Sequence, residues 1–396
     1  MGQGKVRASD HFKAFINPCL ETLEESELGI WLGDICISVS GVADDIYLLS
    51  DDPKKLQCLI DLVVNFGHKY RLTFGKSKSK IVVTGSEIDV SFYKDARIWK
   101  MDGEEVDVVS QNEHLGNIVS GFKEEETNIL ENLTKGRRSL YSLLGPAFSN
   151  ESLLNPSLQM HLFRMFTCPI TRSGLSALSI RPTHAQPLVA FHRKTMRSFL
   201  HLSDRSPIPS FHFLLGEVPI LGRLDRDVFS LFYSIWSNPD TKLHKIVDYL
   251  LRISEENSRT WSVHCRLLCK QYGIQDPLSL LQKPPPAKNS WKRDVEIAIT
   301  TFYENKLRED AENNSKMAWF NINLIGLAGK PHPILKNITT THDVKKLRIV
   351  IKMICGDYYT YELRGNQNGT SAHCRICLSP SESIIHVVAI CFDTSD

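Results

Sequence analysis

Apolar positions change their spacing along this chain, and each change marks a different kind of element. Ile35, Ile37 and Val39 alternate with smaller or polar residues, the two-residue period of a half-buried strand. Ile46 to Leu49 reads as a second short strand, so a tight turn between the two pushes the carboxylates of Asp44 and Asp45 out at its tip. From Asp51 the period lengthens. Leu56, Leu59, Ile60, Val63 and Phe66 recur at helical spacing behind Asp52, which suits an N-cap, and Pro53, which suits the first helical position. Leu72 to Val83 then reads as a lysine-bearing loop running into a strand, with Lys78 and Lys80 at the junction.

Beyond residue 121 the pattern turns helical. Glu124, Glu125 and Glu126 suit the positive end of a helix, whose apolar stripe is Ile129, Leu130, Leu133, Leu140, Leu143 and Leu144. Lys135, Arg137 and Arg138 fall largely off that stripe. Arg193, Lys194 and Arg197 lie on a later helix whose core side carries Phe191, Met196 and Leu200. Residues 205–282 stay mostly helical, with Leu231–Trp236 and Ile246–Leu251 as buried segments. His264, Cys265 and Cys269 lack a fourth ligand and read as core rather than as a metal site. Consecutive prolines at 284–286 favour an extended linker over 283–290 and mark a boundary before a C-terminal domain, 291–396. There Leu347, Val350, Ile351 and Ile354 share a helix with Lys345, Lys346, Arg348 and Lys352, and Gly356 stops it.

Composition narrows the picture. A formal charge of +2 over 396 residues gives no global basic field, so any nucleic-acid contact must come from the local clusters. No apolar run approaches the ~18 residues of a membrane span, and the N-terminus lacks the apolar core of a signal peptide. The ten cysteines are scattered, as in a reducing compartment. The chain is expected inside the cell, in cytoplasm or nucleus, away from membranes.

Two clusters carry chemistry. Adjacent acids on a rigid turn suit Mg²⁺, a hard cation that takes carboxylates and substrate phosphates. Cys374-X-X-Cys377, with His386 and Cys391 after it, supplies a tetrahedral Zn²⁺ shell near the C-terminus, within 371–393; His373 is then surplus. Bases beside Tyr358, Tyr359, Tyr361 and Arg364 suit single-stranded RNA, where rings stack on bases and cations meet phosphates.

Taken in order, these pieces resemble a known family. Gln3-Gly4 followed by Phe12, Phe15, Ile16 and Asn17, then Ala43-Asp44-Asp45, the lysine loop and His114-Leu115-Gly116, is similar to the palm of non-LTR (LINE-type) retrotransposon reverse transcriptases. The terminal Cys-Cys-His-Cys pattern resembles the motif that closes many LINE reading frames. The resemblance implies an α+β fold: a partial polymerase palm over 1–121 (antiparallel sheet with helices), a helical thumb over 122–204, a helical connector over 205–282 and a small zinc-knuckle tail. It implies RNA-directed DNA synthesis in the intact parent, with Mg²⁺ at Asp44 and Asp45, and Lys78 or Lys80 near the leaving pyrophosphate. The thumb bases would meet an RNA template and DNA primer duplex.

The family's palm uses a further acid on a strand upstream of the Gln-Gly segment. With Gln3-Gly4 at the start of this sequence, neither that strand nor the fingers are expected here, and the polypeptide alone is expected to be polymerase-inactive. Val42, where the family has an aromatic, and the charged stretch Arg7-Ala-Ser-Asp-His11 depart from its pattern. The alternative is a non-catalytic, zinc-dependent RNA- or DNA-binding remnant, which needs only the basic helices and the tail.

Overall fold

Asp52 caps the helix that the periodicity predicts. Its side chain accepts the backbone N–H groups of Lys54 at 2.7 Å and Lys55 at 3.0 Å, and Pro53 takes the first helical position, where a missing donor costs nothing. The computed structural model describes residues 8–85, 91–93, 98–143, 154–317, 320, 327, 329–336, 341–357 and 373. Within them the fold is α+β and mostly helical, with small two-stranded sheets. Gln3, Gly4, Leu144, the Tyr358–Arg364 stretch and the zinc ligands Cys374, Cys377, His386 and Cys391 lie outside the described residues.

Helix α1 (Ala8–Glu25) leads to the hairpin β1 (Ile30–Leu32) and β2 (Ile35–Ile37), then to the hairpin β3 (Val39–Val42) and β4 (Asp45–Leu48), then to α2 (Pro53–Tyr70). The strand expected through Ile35, Ile37 and Val39 is therefore broken in two. Ile37 pairs back onto Ile30, while buried Ser38 turns the chain and its carbonyl accepts Leu49 N–H at 2.9 Å. Ile16, Cys19 and Leu23 of α1 meet Val39, Leu59 and Val63 in one core. Ile60, on the other flank of α2, meets Ile81, Trp99, Met101 and Val106 in a second.

After α2, β5 (Lys80–Val82) pairs with β8 (Asp107–Val109), and this pairing is parallel, unlike the other sheets of the described residues. Between them lies the small hairpin β6 (Lys100–Met101) and β7 (Glu104–Glu105). β9 (Gln111–His114) and β10 (Asn117–Ser120) form the predicted hairpin at His114. Leu115 at φ 51° and Gly116 at φ 82° give its two-residue turn the left-handed backbone that such a turn uses.

The helical region follows as α3 (Glu124–Leu143), α4 (Pro156–Leu162), a π-turn (Phe163–Thr167) and α5 (Cys168–Arg172). α3 is tied to β10 by buried Asn128, whose amide accepts Ile118 N–H at 2.9 Å and donates to Ile118 O at 2.7 Å. Its buried face differs from the predicted stripe. Ile129 and Leu133 are inside with Asn132 and Gly136, whereas Leu130 is 56% exposed. Close approach explains the shift: a Cβ at Gly136 would lie 2.4 Å from Thr171 Cγ2, so α3 meets α5 along its small and amide residues.

Then come α6 (Gln186–Leu200), α7 (Ile208–Leu215), α8 (Ile220–Trp236), α9 (Lys242–Ile253), α10 (Trp261–Tyr272), α11 (Pro277–Leu281), α12 (Lys288–Glu312) and α13 (Thr341–Ile354). One hydrophobic core runs through them from Met160 to Cys355 and takes in Cys265 and Cys269. It also crosses the boundaries expected at 204 and 290. The proline segment is extended, but it joins two helices of a single core: Trp236 Nε1 donates to Lys283 O at 2.7 Å and Tyr233 OH to Pro286 O at 2.7 Å. No helix of the described residues is long and apolar enough to cross a membrane.

Candidate metal and nucleic-acid site

Val42 and Asp45 close the β3–β4 hairpin, leaving Ala43 and Asp44 as its loop. Ala43 sits at φ 55°, a region that costs a residue with a Cβ about 1–2 kcal/mol. The two-residue connection accounts for it, since hairpin turns of this length use positive φ at their first central residue. Asp44 and Asp45 are exposed at the tip, and among the described residues neither carries an ion pair.

Both acids line a cleft of about 740 Å³, and Lys78 and Lys80 line it too. The order hairpin, helix, lysine loop, strand thus brings the four candidate catalytic residues to one place. Lys80 Nζ is engaged by Asp107 Oδ2 at 2.6 Å, while Lys78 is exposed. The Tyr47 and His114 rings, 5.1 Å apart, join β4 to β9 along the cleft wall. Its floor is apolar: Phe12 and Ile16 from α1, Leu56, Ile60 and Val63 from α2.

Two adjacent, exposed carboxylates suit one hydrated Mg²⁺, which keeps several waters and takes one or two carboxylates. They fall short of the donor set that a two-ion phosphoryl transfer bridges. Among the described residues no group of three His, Cys, Asp or Glu side chains could hold an ion. No catalytic step follows from the pair alone.

Among the described residues the helical bases divide into exposed and engaged. Arg137, Arg138, Lys194, Lys345 and Lys346 are exposed. Lys135 is drawn to Glu113 at 3.3 Å and Glu131 at 3.7 Å. Arg193 is half-buried beside Asp310. Arg197 is packed inward, its guanidinium 4.8 Å over the Phe211 ring and donating to Ser206 O at 3.0 Å, so it braces the turn from α6 to α7. The ends of α6 and α13 meet. Asp357 accepts Ser203 N–H at 2.7 Å, and His201 is pushed down to about 4 by burial and then by Arg348 and Lys352. Nothing in the sequence joined these two basic helices.

Sequence reasoning also missed the deepest charge. Glu217 is wholly buried between α7 and α8, bonded by Arg164 Nε at 2.5 Å and by Arg223 Nε. Arg164 Nη2 donates further to Leu215 O at 3.2 Å and Gly216 O at 3.1 Å. His192 Nε2 lies 3.9 Å from the same carboxylate, and His212 donates from Nδ1 to Glu217 O at 2.7 Å. Burial alone would raise the Glu217 carboxyl, but Arg223 and Arg164 outweigh it and hold it at about 2. Burial pushes His192 down to about 3 and His212 to about 4.

These shifts fix the sign of the acid response. Both histidines bind protons more readily unfolded, near 6.5, so stability falls as pH drops from 6.5 towards 4 and then 3. Glu217 is the depressed-carboxylate case: its contribution is present above 4.5 and is lost as pH falls from 4.5 towards about 2. At about 1.4 kcal/mol per unit, several kcal/mol are at stake. Melting temperature is expected to fall steadily below pH 6.5, and His212→Asn, which can still donate to Glu217 O, to flatten that fall. An unchanged profile in the variant would show that His212 does not set it.

Compared with protein-family models and with curated proteins, the chain matches none.

Proposed function

We propose that this chain carries the hairpin half of a reverse transcriptase palm of the non-LTR retrotransposon type, followed by nucleic-acid-binding helices and a zinc-bearing tail. One observation supports this above the rest: Asp44 and Asp45 stand at a strained hairpin tip in the same cleft as Lys78 and Lys80. On this reading the polypeptide is inactive as a polymerase by itself, because Asp44 and Asp45 alone do not make the donor set with which the reaction bridges two ions. Primer extension on an RNA template in Mg²⁺ is expected to give no product above an Asp44→Ala control. Robust synthesis that depends on Asp44 would overturn the inactivity.

Nucleic-acid binding without catalysis is the second reading, favoured by the exposure of Lys345 and Lys346 on the helix that precedes Cys374. RNA affinity is expected to fall with salt, and replacing both lysines by alanine to lower the salt slope by about 1.4, at ~0.7 per phosphate contact on a single strand. Chelation or Cys374→Ser is expected to remove the tail's share of binding, because such a site folds only around its metal. Salt dependence that ignores all three changes would leave α3 and α6 as the only contacts.

A further inference from the structure

A second, smaller cavity of about 100 Å³ lies among α6, α7, α8 and α12. Its walls are aliphatic, with Val189, Ile208, Leu221 and Leu307 among them. Two histidines, His192 and His212, line it too, and they are 2% and 1% exposed. His212 Nδ1 donates to Glu217 O at 2.7 Å and burial keeps the ring neutral, so the proton sits on Nδ1 and Nε2 is a bare lone pair. His192 Nε2 is buried without a hydrogen-bond partner. The Tyr303 hydroxyl is bonded to Tyr272, which leaves its ring for the cavity. At the rim stand half-buried Arg193 and exposed Lys306 and Asp310, two cations and one acid.

These groups select an occupant. An anion alone would meet a lone pair among aliphatic walls, and a cation alone would meet a positive rim. A plain hydrocarbon would leave His212 Nε2 unpaired, which a buried acceptor tolerates poorly. What fits is a flat body with a hydrogen-bond donor at its inner end and a negative charge at its outer end. Size narrows this further: a cavity of ~150 Å³ takes benzene, so about 100 Å³ open at one side takes a single ring and not a fused pair. We propose that the cavity receives an unpaired cytosine base, its amino group on His212 Nε2 and its phosphate at Lys306 and Arg193. In a pyrimidine nucleotide the position opposite the sugar goes in first. Cytosine carries an amino donor there and uracil a carbonyl acceptor, which would face the lone pair. The inference deepens the nucleic-acid-binding reading by adding a base contact to its phosphate contacts, and it rests on that reading only for the strand to which the base belongs.

The test titrates the full chain at pH 7 with cytidine, uridine and adenosine 5′-monophosphates and with cytidine itself, followed by calorimetry. Saturable binding of cytidine monophosphate is expected, tighter than the uridine and adenosine compounds by about tenfold or more. His212→Asn, which can still donate to Glu217 O but has no lone pair at the Nε2 position, is expected to erase the preference over uridine monophosphate. Lys306→Ala, at an exposed position where folding is not at risk, is expected to bring cytidine monophosphate down towards the affinity of cytidine. Absence of saturable binding, or binding of uridine or adenosine monophosphate as tight as that of cytidine monophosphate, would overturn the proposal. The same chain is then titrated with oligocytidylate and oligouridylate. Equal, salt-sensitive affinity for both would overturn the base site and leave the nucleic-acid reading standing. Cytidine monophosphate bound with no affinity for either oligomer would sustain the site and overturn that reading.

Discussion

Replacing Glu217 by alanine is expected to destabilise the helical region by about 3–5 kcal/mol, a large part of the ~5–15 kcal/mol that holds an ordinary protein folded. Burying the carboxylate carries a large desolvation cost, which Arg164 and Arg223 offset. Alanine removes the acid and leaves both guanidiniums facing a site built for an anion. Arg164 is anchored there by the backbone carbonyls of Leu215 and Gly216, and Arg223 is on the first turns of α8, so neither can swing to water without disturbing the α7–α8 corner. His192, held neutral beside the carboxylate, offers no compensating charge. Urea melts followed by circular dichroism measure the effect. Glu217→Gln keeps an acceptor and is expected to lose less. Replacing Glu217, Arg164 and Arg223 together by methionine is expected to recover much of the loss, because a well-packed apolar core can equal a buried ion cluster. A change under about 1 kcal/mol for Glu217→Ala would put the cluster on the same footing as a surface pair.

Much of the N-terminal part was legible because local rules and packing agree there. Asp52 and Pro53 start α2 as cap and first residue, Leu59, Ile60 and Val63 are buried at the predicted spacing, and the turns at Asp44 and Gly116 fall where short apolar runs meet polar pairs. What failed was face assignment where small residues decide contact. Leu130 belongs to a plausible leucine stripe, yet Gly136 and Thr171 bring α3 and α5 so close that asparagines and glycine form the buried side. Periodicity counts apolar side chains and is blind to such close backbone approach.

The candidate site divides the same way. Asp44, Asp45, Lys78 and Lys80 could be read singly, since each sits in a local pattern, and the fold brings them to one cleft. Arg197 looked like a phosphate contact because it stands in a basic cluster, but its neighbours in space are Phe211 and Ser206, which only the turn after α6 brings near. The Glu217 cluster spans Arg164 to Arg223 and no local pattern joins them. One signal was present: Arg164 and Glu217 each stand alone inside an apolar run, and a lone charge there needs a buried partner.

Trp291→Ala is expected to cost about 3–5 kcal/mol, and the loss should spread to helices on both sides of the proline segment. Trp291 is 7% exposed, lies within ring-contact distance of Phe229, Phe232, Tyr233 and Trp236, and donates from Nε1 to Phe229 O at 3.2 Å. Alanine removes the ring contacts and leaves a cavity that α8 and α12 cannot close without moving the whole length of α12, buried again at Val295, Ile299 and Tyr303. If Lys283–Lys288 were an interdomain linker, the two sides would melt separately and the substitution would affect one of them. A shared core predicts one cooperative transition shifted as a unit. Protease cleavage within 283–288 distinguishes the two further: the fragments are expected to stay associated through a gel-filtration column and to separate only in denaturant. Fragments that part in native buffer, each with its own melting transition, would return the proline segment to the role of a boundary.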